Sequence, residues 1–204
     1  MYIPKNYLLT DFAAITSFMQ QYSFGTLVSN HENIPEATHI PFVIEVIGDQ
    51  VHISSHMARS NPQAARMENQ EVLIIFTEPH AYISPRHYEK EQNVPTWNYL
   101  AVHVYGRVQV TNDPQRKQEL LEKMIGTYEK GYMEQWKRLP EQFKANNIKG
   151  ITAFEIEITD IQAKNKLSQN KTETERKSII SELGNSGDTN ERDIARYMSQ
   201  LEIR

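Results

Sequence analysis

The sequence predicts an α+β fold built around a small antiparallel β-barrel, and three observations favour it. About six segments have strand patterns, against only a few helical ones. The strands follow one another at hairpin spacing and do not alternate strictly with helices, as they would in a parallel sheet. The third observation is a long alternating segment from Asn98, in which Leu100, Val102 and Val104 share one face and polar or aromatic residues share the other.

The predicted elements before residue 86 are one helix followed by strands. In residues 11–22, apolar side chains recur at helical spacing behind a capping residue at Thr10 or Asp11. The next strand pattern includes a hairpin that turns at Gly48-Asp49. The run EVLIIFTE is nearly all apolar, which is typical of a strand buried on both faces. The predicted strands cover 24–30, 37–55, 71–78 and 80–85.

Helices and one further strand are predicted after the long alternating segment. Asp113-Pro114 is a strong helix start, because an acidic cap is followed by proline at the first helical position. A second helical piece is predicted at 132–145, and strand alternation returns at 151–170.

The end of the chain has the character of a separate helical extension. Thr172 and Asp188 each lie three residues before a glutamate, which gives two candidate capping boxes around a Gly-Asn-Ser-Gly turn. We therefore predict two short helices, at 172–183 and 188–202. The predicted division is a main domain over 1–170 and a C-terminal helical extension over 171–204.

Composition narrows the possible functions. The 204 residues include no cysteine, which excludes disulfides, thiolate metal sites and cysteine nucleophiles. No apolar run approaches the roughly 20 residues that cross a bilayer, and the N-terminus lacks the pattern of a signal peptide. We therefore expect a cytoplasmic protein without a membrane span. The net charge of −4 argues against broad nucleic-acid binding, although a local basic patch is compatible with it.

The first candidate site is a polar loop, ISSHMARSNPQ, at residues 53–63. Hydroxyls, a guanidinium and a helix N-terminus beginning at Pro62 can together hold a phosphate, since each donates to oxygen. The alternative is an exposed loop in which Asn61 merely caps the helix, and the spacing alone favours it. The residues concerned are Ser54, Ser55, His56, Arg59, Asn61 and Gln63.

The second candidate site is the aromatic stretch YISPRHYEKEQNVPTWNY, at residues 82–99. Trp97 or Tyr99 could lie against a planar ring while Thr96 or Asn98 bonds to the ring's polar edge. The alternative is that Trp97 covers a dimer interface or a barrel end.

The third candidate site is AKNKLSQNK, at residues 163–171, where lysines alternate with polar residues at a strand end. It could be an anion site, or a solvated strand edge of the kind that limits aggregation. The seven histidines show no recognised metal spacing, and no hydrolase or nucleotide-binding motif is present. No catalytic or metal-ligating residue is therefore predicted. The polar residues of the third candidate site, AKNKLSQNK, are Lys164, Lys166, Ser168, Gln169 and Lys171.

Taken in order, these three stretches resemble the PaiB family of FMN-binding negative transcriptional regulators. The similar segments are SSHMARSNPQ (54–63), YISPRHYEKEQNVPTWNYLAVHVYG (82–106) and KNKLSQNK (164–171), together with the opening MYIPKNY. The resemblance covers essentially the whole chain, and the ordered set is more specific than any single motif.

The resemblance implies a six-stranded antiparallel split β-barrel of the pyridoxamine-phosphate-oxidase type, with peripheral helices. It also implies a homodimer with FMN at the subunit interface. Under this hypothesis Ser54, Ser55, His56 and Arg59 contact the FMN phosphate, with Asn61 and Gln63 close by. The residues implied for the ring or ribityl edge are Thr96, Trp97 and Asn98, and those implied to close the pocket are Lys166, Ser168 and Gln169.

The function implied by the resemblance is repression of genes for protease production and sporulation, with flavin as a redox or metabolic sensor. DNA contact could be direct, through Lys177, Arg192 and Arg196 of the C-terminal helices, or could involve another protein. The mixed charge of those helices favours a solvated hairpin. Two alternatives stay open: a flavin-dependent oxidoreductase, and a haem-binding split barrel in which His56, His87 or His103 is the axial ligand.

Overall fold

A computed structural model of the chain describes residues 1–201, which form a single eight-stranded sheet with flanking helices. The strands are β1 (Leu8–Leu9), β2 (Phe24–His31), β3 (Ile34–Pro41), β4 (Val43–Ile47), β5 (Gln50–Ala58), β6 (Glu71–Ile83), β7 (Thr96–Thr111) and β8 (Ile151–Lys166). Their order in the sheet is β3-β2-β6-β7-β8-β5-β4, and β1 pairs with β8.

The helices within residues 1–201 are six α-helices and three short 3-10 helices. The α-helices are α1 (Phe12–Gln21), α2 (Pro114–Tyr128), α3 (Tyr132–Arg138), α4 (Glu141–Lys149), α5 (Glu173–Gly184) and α6 (Thr189–Gln200). The 3-10 helices are Lys5–Tyr7, Pro62–Ala65 and Pro85–His87.

The predicted antiparallel α+β class is confirmed, but the sheet has eight strands where six were expected. The expected first strand of the hairpin is divided into β3 and β4 at Phe42, whose N–H donates to the Ser23 carbonyl at 2.8 Å. The two-residue β1 is too short to produce a pattern. Conversely, two predicted strands are joined into one: β6 spans both EVLIIFTE and HAYISP.

The helical piece expected at 132–145 is two helices, α3 and α4. Leu139 has the extended conformation (ψ 146°), because proline disfavours a helical backbone in the residue before it. Pro140 then begins α4 as its N-cap residue. The prediction of a helix start at Asp113 is confirmed, since its side chain accepts a hydrogen bond from the Arg116 N–H at 3.0 Å.

The chain is organised as two compact units. Unit 1 comprises Met1–Asp11, Thr77–Val102 and Gln162–Arg204, and unit 2 comprises Phe12–Phe76 and His103–Ile161. The core of unit 2 includes three fully buried phenylalanines, and two of them pack edge to face with ring centroids 5.5 Å apart. These residues are Phe42, Phe76 and Phe154, of which the first two form the pair.

In unit 1, β1 pairs with β8 in the register Leu8↔Lys164. Helices α5 and α6 pack together through buried apolar side chains. The Thr172 capping box is confirmed in both arms, and Asp188 caps α6 by accepting from the Asn190 N–H at 2.7 Å. The final residue of the predicted helix 188–202 lies outside the described residues. The buried apolar side chains of α5 and α6 are Ile179, Leu183, Ile194, Ala195 and Met198.

The predicted boundary between 170 and 171 stays a prediction. Helices α5 and α6 belong to the same compact unit as Met1–Asp11 and Thr77–Val102. Within residues 1–201, no helix combines the length and the apolar character that a membrane crossing requires.

Candidate functional site

A pocket of about 260 Å³ in unit 1 brings together four of the predicted site residues. It lies where β7 begins and β8 ends, because alternate residues of each strand point to the same face. Its polar lining includes Thr96 and Asn98 from β7, Lys166 from the end of β8 and Ser168 just beyond it.

Asn98 and Ser168 form a reciprocal pair at the base of this pocket. The Asn98 amide Nδ2 donates to the Ser168 hydroxyl at 3.0 Å, and that hydroxyl donates back to the Asn98 Oδ1 at 3.1 Å. Asn98 is fully buried and Ser168 is 4% exposed. Ser168 has a φ of 58°, an uncommon backbone conformation for a residue other than glycine. Held conformations of this kind cluster at ligand sites, where the surrounding structure maintains them.

Lys166 supplies a cation to the same pocket. Its Nζ donates to the Thr96 hydroxyl. Burial lowers the pKa of Lys166, because a desolvated ammonium group is less stable in its charged form, and the positive charge of Lys164 acts in the same direction. An anionic or oxygen-rich ligand beside this group would restore its preference for the charged form.

Two further residues complete the pocket: Lys171, which sequence reasoning placed only in a possible anion site, and Tyr88, to which it assigned no role. The Lys171 Nζ lies 3.5 Å from the centroid of the Tyr88 ring and 3.0 Å from the Asn93 Oδ1. The Tyr88 hydroxyl is buried and has no hydrogen-bond partner within residues 1–201. Burial raises the pKa of Tyr88, and the nearby Glu175 carboxylate adds to that effect. Both residues lie in the stretches singled out above, so the aromatic and lysine content was the available signal.

The pocket thus presents two ammonium groups, hydroxyl and amide donors, and a phenol ring. Such a set suits a ligand with hydrogen-bond acceptors at one edge and a flat apolar surface at another. The unpartnered Tyr88 hydroxyl would gain a hydrogen bond from such a ligand, which offsets the cost of its burial.

Two of the residues implied for the ring edge or the closure of the pocket, Trp97 and Gln169, do not line it. Trp97 points to the opposite face of β7, where it is 51% exposed and its ring centroid lies 5.8 Å from those of His80 and Tyr82. Gln169 accepts from the Leu167 N–H at 2.7 Å and also donates to the Asn165 carbonyl, so it holds the turn after β8.

In unit 2, Asn61 and Gln63 serve the structure of the predicted phosphate loop. Asn61 caps the 3-10 helix by accepting from the Gln63 N–H at 2.9 Å, and its amide donates to Thr38 at 3.0 Å. Gln63 is 3% exposed, donates to Ser29 at 2.8 Å and accepts from Thr38 at 2.6 Å. These amides anchor the loop to β2 and β3 and have little capacity left for a ligand.

Ser54, Ser55 and His56 belong to β5 rather than to the loop. Ser55 lies on the core face of the strand, is 2% exposed and donates to the Pro41 carbonyl at 2.6 Å. Ser54 and His56 lie on the opposite face, and Ser54 is also buried. Burial lowers the pKa of His56, because the charged imidazolium is desolvated.

The lowered pKa of His56 predicts a pH effect on stability. The unfolded state binds more protons than the folded state, so the free energy of unfolding should fall as the pH drops below about 6.5. Chemical unfolding measured at pH 7.5 and pH 5.5 should show this fall, and His56→Gln should reduce it. An equal fall in the wild type and the variant would show that His56 is not responsible.

Arg59 lies in a second cavity, of about 480 Å³, that is confined to unit 2. Its backbone N–H donates to the Gly150 carbonyl at 2.8 Å, which ties the end of β5 to the residue after α4. The side chain faces residues of α2 and α4, and no other predicted site residue lines this cavity.

The chain matches the model of a known protein family over residues 1–160, described as "Putative FMN-binding domain". It is also 40% identical over 201 residues to "Protease synthase and sporulation protein PAI 2" of Bacillus subtilis strain 168. The alignment covers 97% of this chain and 96% of the relative. The chain belongs to the PaiB family. The predicted resemblance is confirmed, and FMN is the cofactor that membership of the PaiB family indicates.

Solved structures with the same fold confirm the predicted split barrel for this PaiB-family chain. The flavocytochrome Anf3 from Azotobacter vinelandii superposes with a TM-score of 0.65 at 16% identity, covering 80% of this chain and 72% of that protein. The "FAD and Heme binding protein from Mycobacterium smegmatis" gives a TM-score of 0.63 at 12% identity, covering 78% and 73%. At these identities the likeness concerns the fold alone.

The unit 1 pocket fits one part of an FMN molecule. Its volume of about 260 Å³ lies just below the roughly 300–1,000 Å³ usual for small-molecule sites, so it accommodates an edge or end of the cofactor. Lys166 would donate to carbonyl or ribityl oxygens, and the Tyr88 ring would offer a flat contact. The N–H and O–H donors of Asn98 and Ser168 are engaged with each other and with Met198, so this pair would shape the base of the pocket. When bound, FMN supplies redox chemistry that side chains lack.

Proposed function

We propose that this PaiB-family chain is an FMN-binding cytoplasmic regulator that represses genes for protease production and sporulation, with flavin as a redox or metabolic sensor. The observation that carries the proposal is the lysine-lined pocket with its unpartnered Tyr88 hydroxyl, in a chain that belongs to an FMN-binding family. The similarity to "Protease synthase and sporulation protein PAI 2" of Bacillus subtilis supports the biological role.

The residues proposed to contact FMN belong to both units. In unit 1, Thr96 and Asn98 meet the ring or ribityl edge, and the pocket is closed by Lys166 and Ser168. In unit 2, the residues proposed to contact the FMN phosphate are Ser54, Ser55, His56 and Arg59. The observed hydrogen bonds favour a positioning role for Asn61 and Gln63 in their loop, and for Gln169 in its turn.

We propose that repression involves another protein rather than direct DNA contact by α5 and α6. The basic side chains of these helices are engaged locally: Lys177 pairs with Glu173 at 2.6 Å, and Arg196 pairs with Asp193 at 3.0 Å. Arg192 donates to the Ser186 carbonyl at 2.7 Å. DNA binding draws on clustered cations that are free to neutralise phosphates, and these pairs oppose that use.

The regulatory proposal is tested in cells that lack this chain and carry a secreted-protease reporter. Wild-type protein should lower the reporter signal, and Lys166→Gln, expressed at the same level, should fail to do so. Footprinting of purified protein at low salt should show no protected DNA. Equal repression by both proteins would refute a role for the flavin, and a footprint lost on deletion of 172–201 would refute action through a partner.

Trp97 is proposed to lie at a homodimer interface that also contributes to the flavin site. An exposed tryptophan beside His80 and Tyr82 has the composition of an interface anchor, and truncating such an anchor typically costs about 2 kcal/mol or more. We expect Trp97→Ala to weaken dimerisation and FMN binding together, as measured by sedimentation and by flavin titration. Phe143→Ala, which removes a 50% exposed aromatic ring in α4, is the control. Loss of only one property would contradict the joint role.

A further inference from the structure

One wall of the unit 1 pocket is a segment without regular secondary structure, residues 88–95, between the 3-10 helix Pro85–His87 and β7. Segments of this kind open easily unless contacts with other elements hold them. Here such contacts come from the first turn of α5 and the two residues before it. The residues of the segment that line the pocket are Tyr88, Asn93, Val94 and Pro95.

Glu175 of α5 makes the central contact, and both of its carboxylate oxygens are used. Its Oε1 accepts from the Glu89 N–H at 3.0 Å, and its Oε2 accepts from the Thr172 N–H at 3.1 Å in the capping box. The Glu89 N–H belongs to the peptide group directly after Tyr88, so the first bond fixes the backbone that carries the Tyr88 ring. Glu175 is 6% exposed, and hydrogen bonds to an ionised carboxylate are stronger than neutral ones.

The contacts farther along α5 are weaker. The His87 Nδ1 lies 3.2 Å from the Ser178 hydroxyl, at the upper end of the hydrogen-bonding range. Arg86 pairs with Glu182, but these side chains are 65% and 46% exposed, and exposed ion pairs contribute only about 0–1 kcal/mol. The position of the segment therefore depends most on Glu175.

Glu175 also acts on the Tyr88 hydroxyl through its charge. Burial raises the pKa of Tyr88, and the Glu175 carboxylate raises it further, so the phenol stays protonated at neutral pH. This hydroxyl has no hydrogen-bond partner within residues 1–201, and Tyr88 lines the pocket. It is therefore a donor available to a ligand, on a ring whose face is covered by the Lys171 Nζ at 3.5 Å from its centroid.

We propose that Glu175 is a positioning residue of the flavin site, which holds the peptide group after Tyr88 and so places the Tyr88 ring and hydroxyl against the cofactor. The inference rests on the proposed binding of FMN in the unit 1 pocket. Helix α5 lies beyond residue 160, where the match to the family model ends. This helix, predicted to belong to a separate extension, then builds part of the cofactor site.

The test compares Glu175→Gln with the wild type, using the full chain in two measurements. Glutamine also serves in capping boxes, so the start of α5 is preserved. Its side chain has one acceptor oxygen where glutamate has two, and the local bond from Thr172 uses it. In the first measurement, made without FMN, hydrogen exchange of the Glu89 amide should be about tenfold faster in the variant, while exchange within α5 stays unchanged.

The second measurement is FMN affinity, from titration of flavin fluorescence with protein. Glu175→Gln and Tyr88→Phe should each weaken binding by about tenfold, and the double variant should lose less than the two losses combined, because Glu175 acts through Tyr88. Glu173→Gln is the matched control, since this carboxylate of the same helical turn pairs with Lys177 on the surface. It should leave the exchange and the affinity unchanged.

Three results would overturn the proposal: unchanged exchange of the Glu89 amide in Glu175→Gln, additive losses of affinity in the double variant, or an equal loss of affinity in Glu173→Gln. If exchange also becomes faster along α5, the double variant decides between positioning of Tyr88 and a general loss of structure. Absence of FMN binding by the wild type would refute the proposed function itself, and the exchange measurement would then show separately whether Glu175 holds the segment.

Discussion

Substituting Asn98 with leucine should lower the free energy of unfolding by about 2–3 kcal/mol, because it leaves a buried hydroxyl without its partner. Ser168 is 4% exposed, and its hydroxyl both donates to and accepts from the Asn98 side chain. Leucine has a similar volume, so the loss reports the broken hydrogen bonds more than a cavity. The change should also weaken FMN binding, since both residues line the unit 1 pocket.

Urea unfolding of four proteins measures this effect: the wild type, Asn98→Leu, Ser168→Ala and the double variant. If the two side chains act as a pair, the double variant should lose less stability than the two single losses added together. Additive losses would contradict the paired role of Asn98 and Ser168.

Replacing Lys166 with glutamine should weaken FMN binding by about thirty- to a hundredfold, the effect of losing one charge-assisted hydrogen bond worth about 2–3 kcal/mol. The glutamine keeps much of the side-chain length but removes the charge. Burial already lowers the pKa of Lys166, so the amine gains more from an electron-rich partner than an exposed lysine would. Flavin fluorescence quenching on titration with protein measures the affinity.

Lys177→Gln is the control for this measurement, because Lys177 belongs to the same unit but pairs with Glu173 on the surface of α5. It should leave FMN affinity unchanged. Equal affinities for the wild type and Lys166→Gln would remove Lys166 from the site, and equal losses in both variants would indicate a general charge effect.

Local periodicity explains which features were predictable from the sequence. In β7 the side-chain period of two separates Val104 and Val108, which are fully buried, from the exposed Arg107. The same period puts Trp97 on the outer face, which explains why Trp97 cannot line the pocket with Thr96 and Asn98. Helix caps at Asp113 and Thr172 were equally visible, since capping depends on residues a few positions apart.

Contacts between distant segments could not be derived in this way. Gln63 looked like a ligand-binding residue, yet it is occupied by Ser29 and Thr38, which are 34 and 25 residues away. The partnership of Tyr88 with Lys171 likewise depends on how two separate loops meet, one after the 3-10 helix Pro85–His87 and one after β8. Such pairings are set by strand register and loop path, and local propensity does not encode either of them.

The central claim is that this chain binds FMN through the unit 1 pocket, and a titration of purified protein with FMN tests it most directly. The absorption and fluorescence of the flavin should change saturably at micromolar protein, and riboflavin should produce the same ring perturbation, because the pocket is proposed to contact the ring or ribityl edge. Lys166→Gln should shift both titrations to higher concentration. Absence of any flavin affinity in the wild type at micromolar protein would contradict the claim.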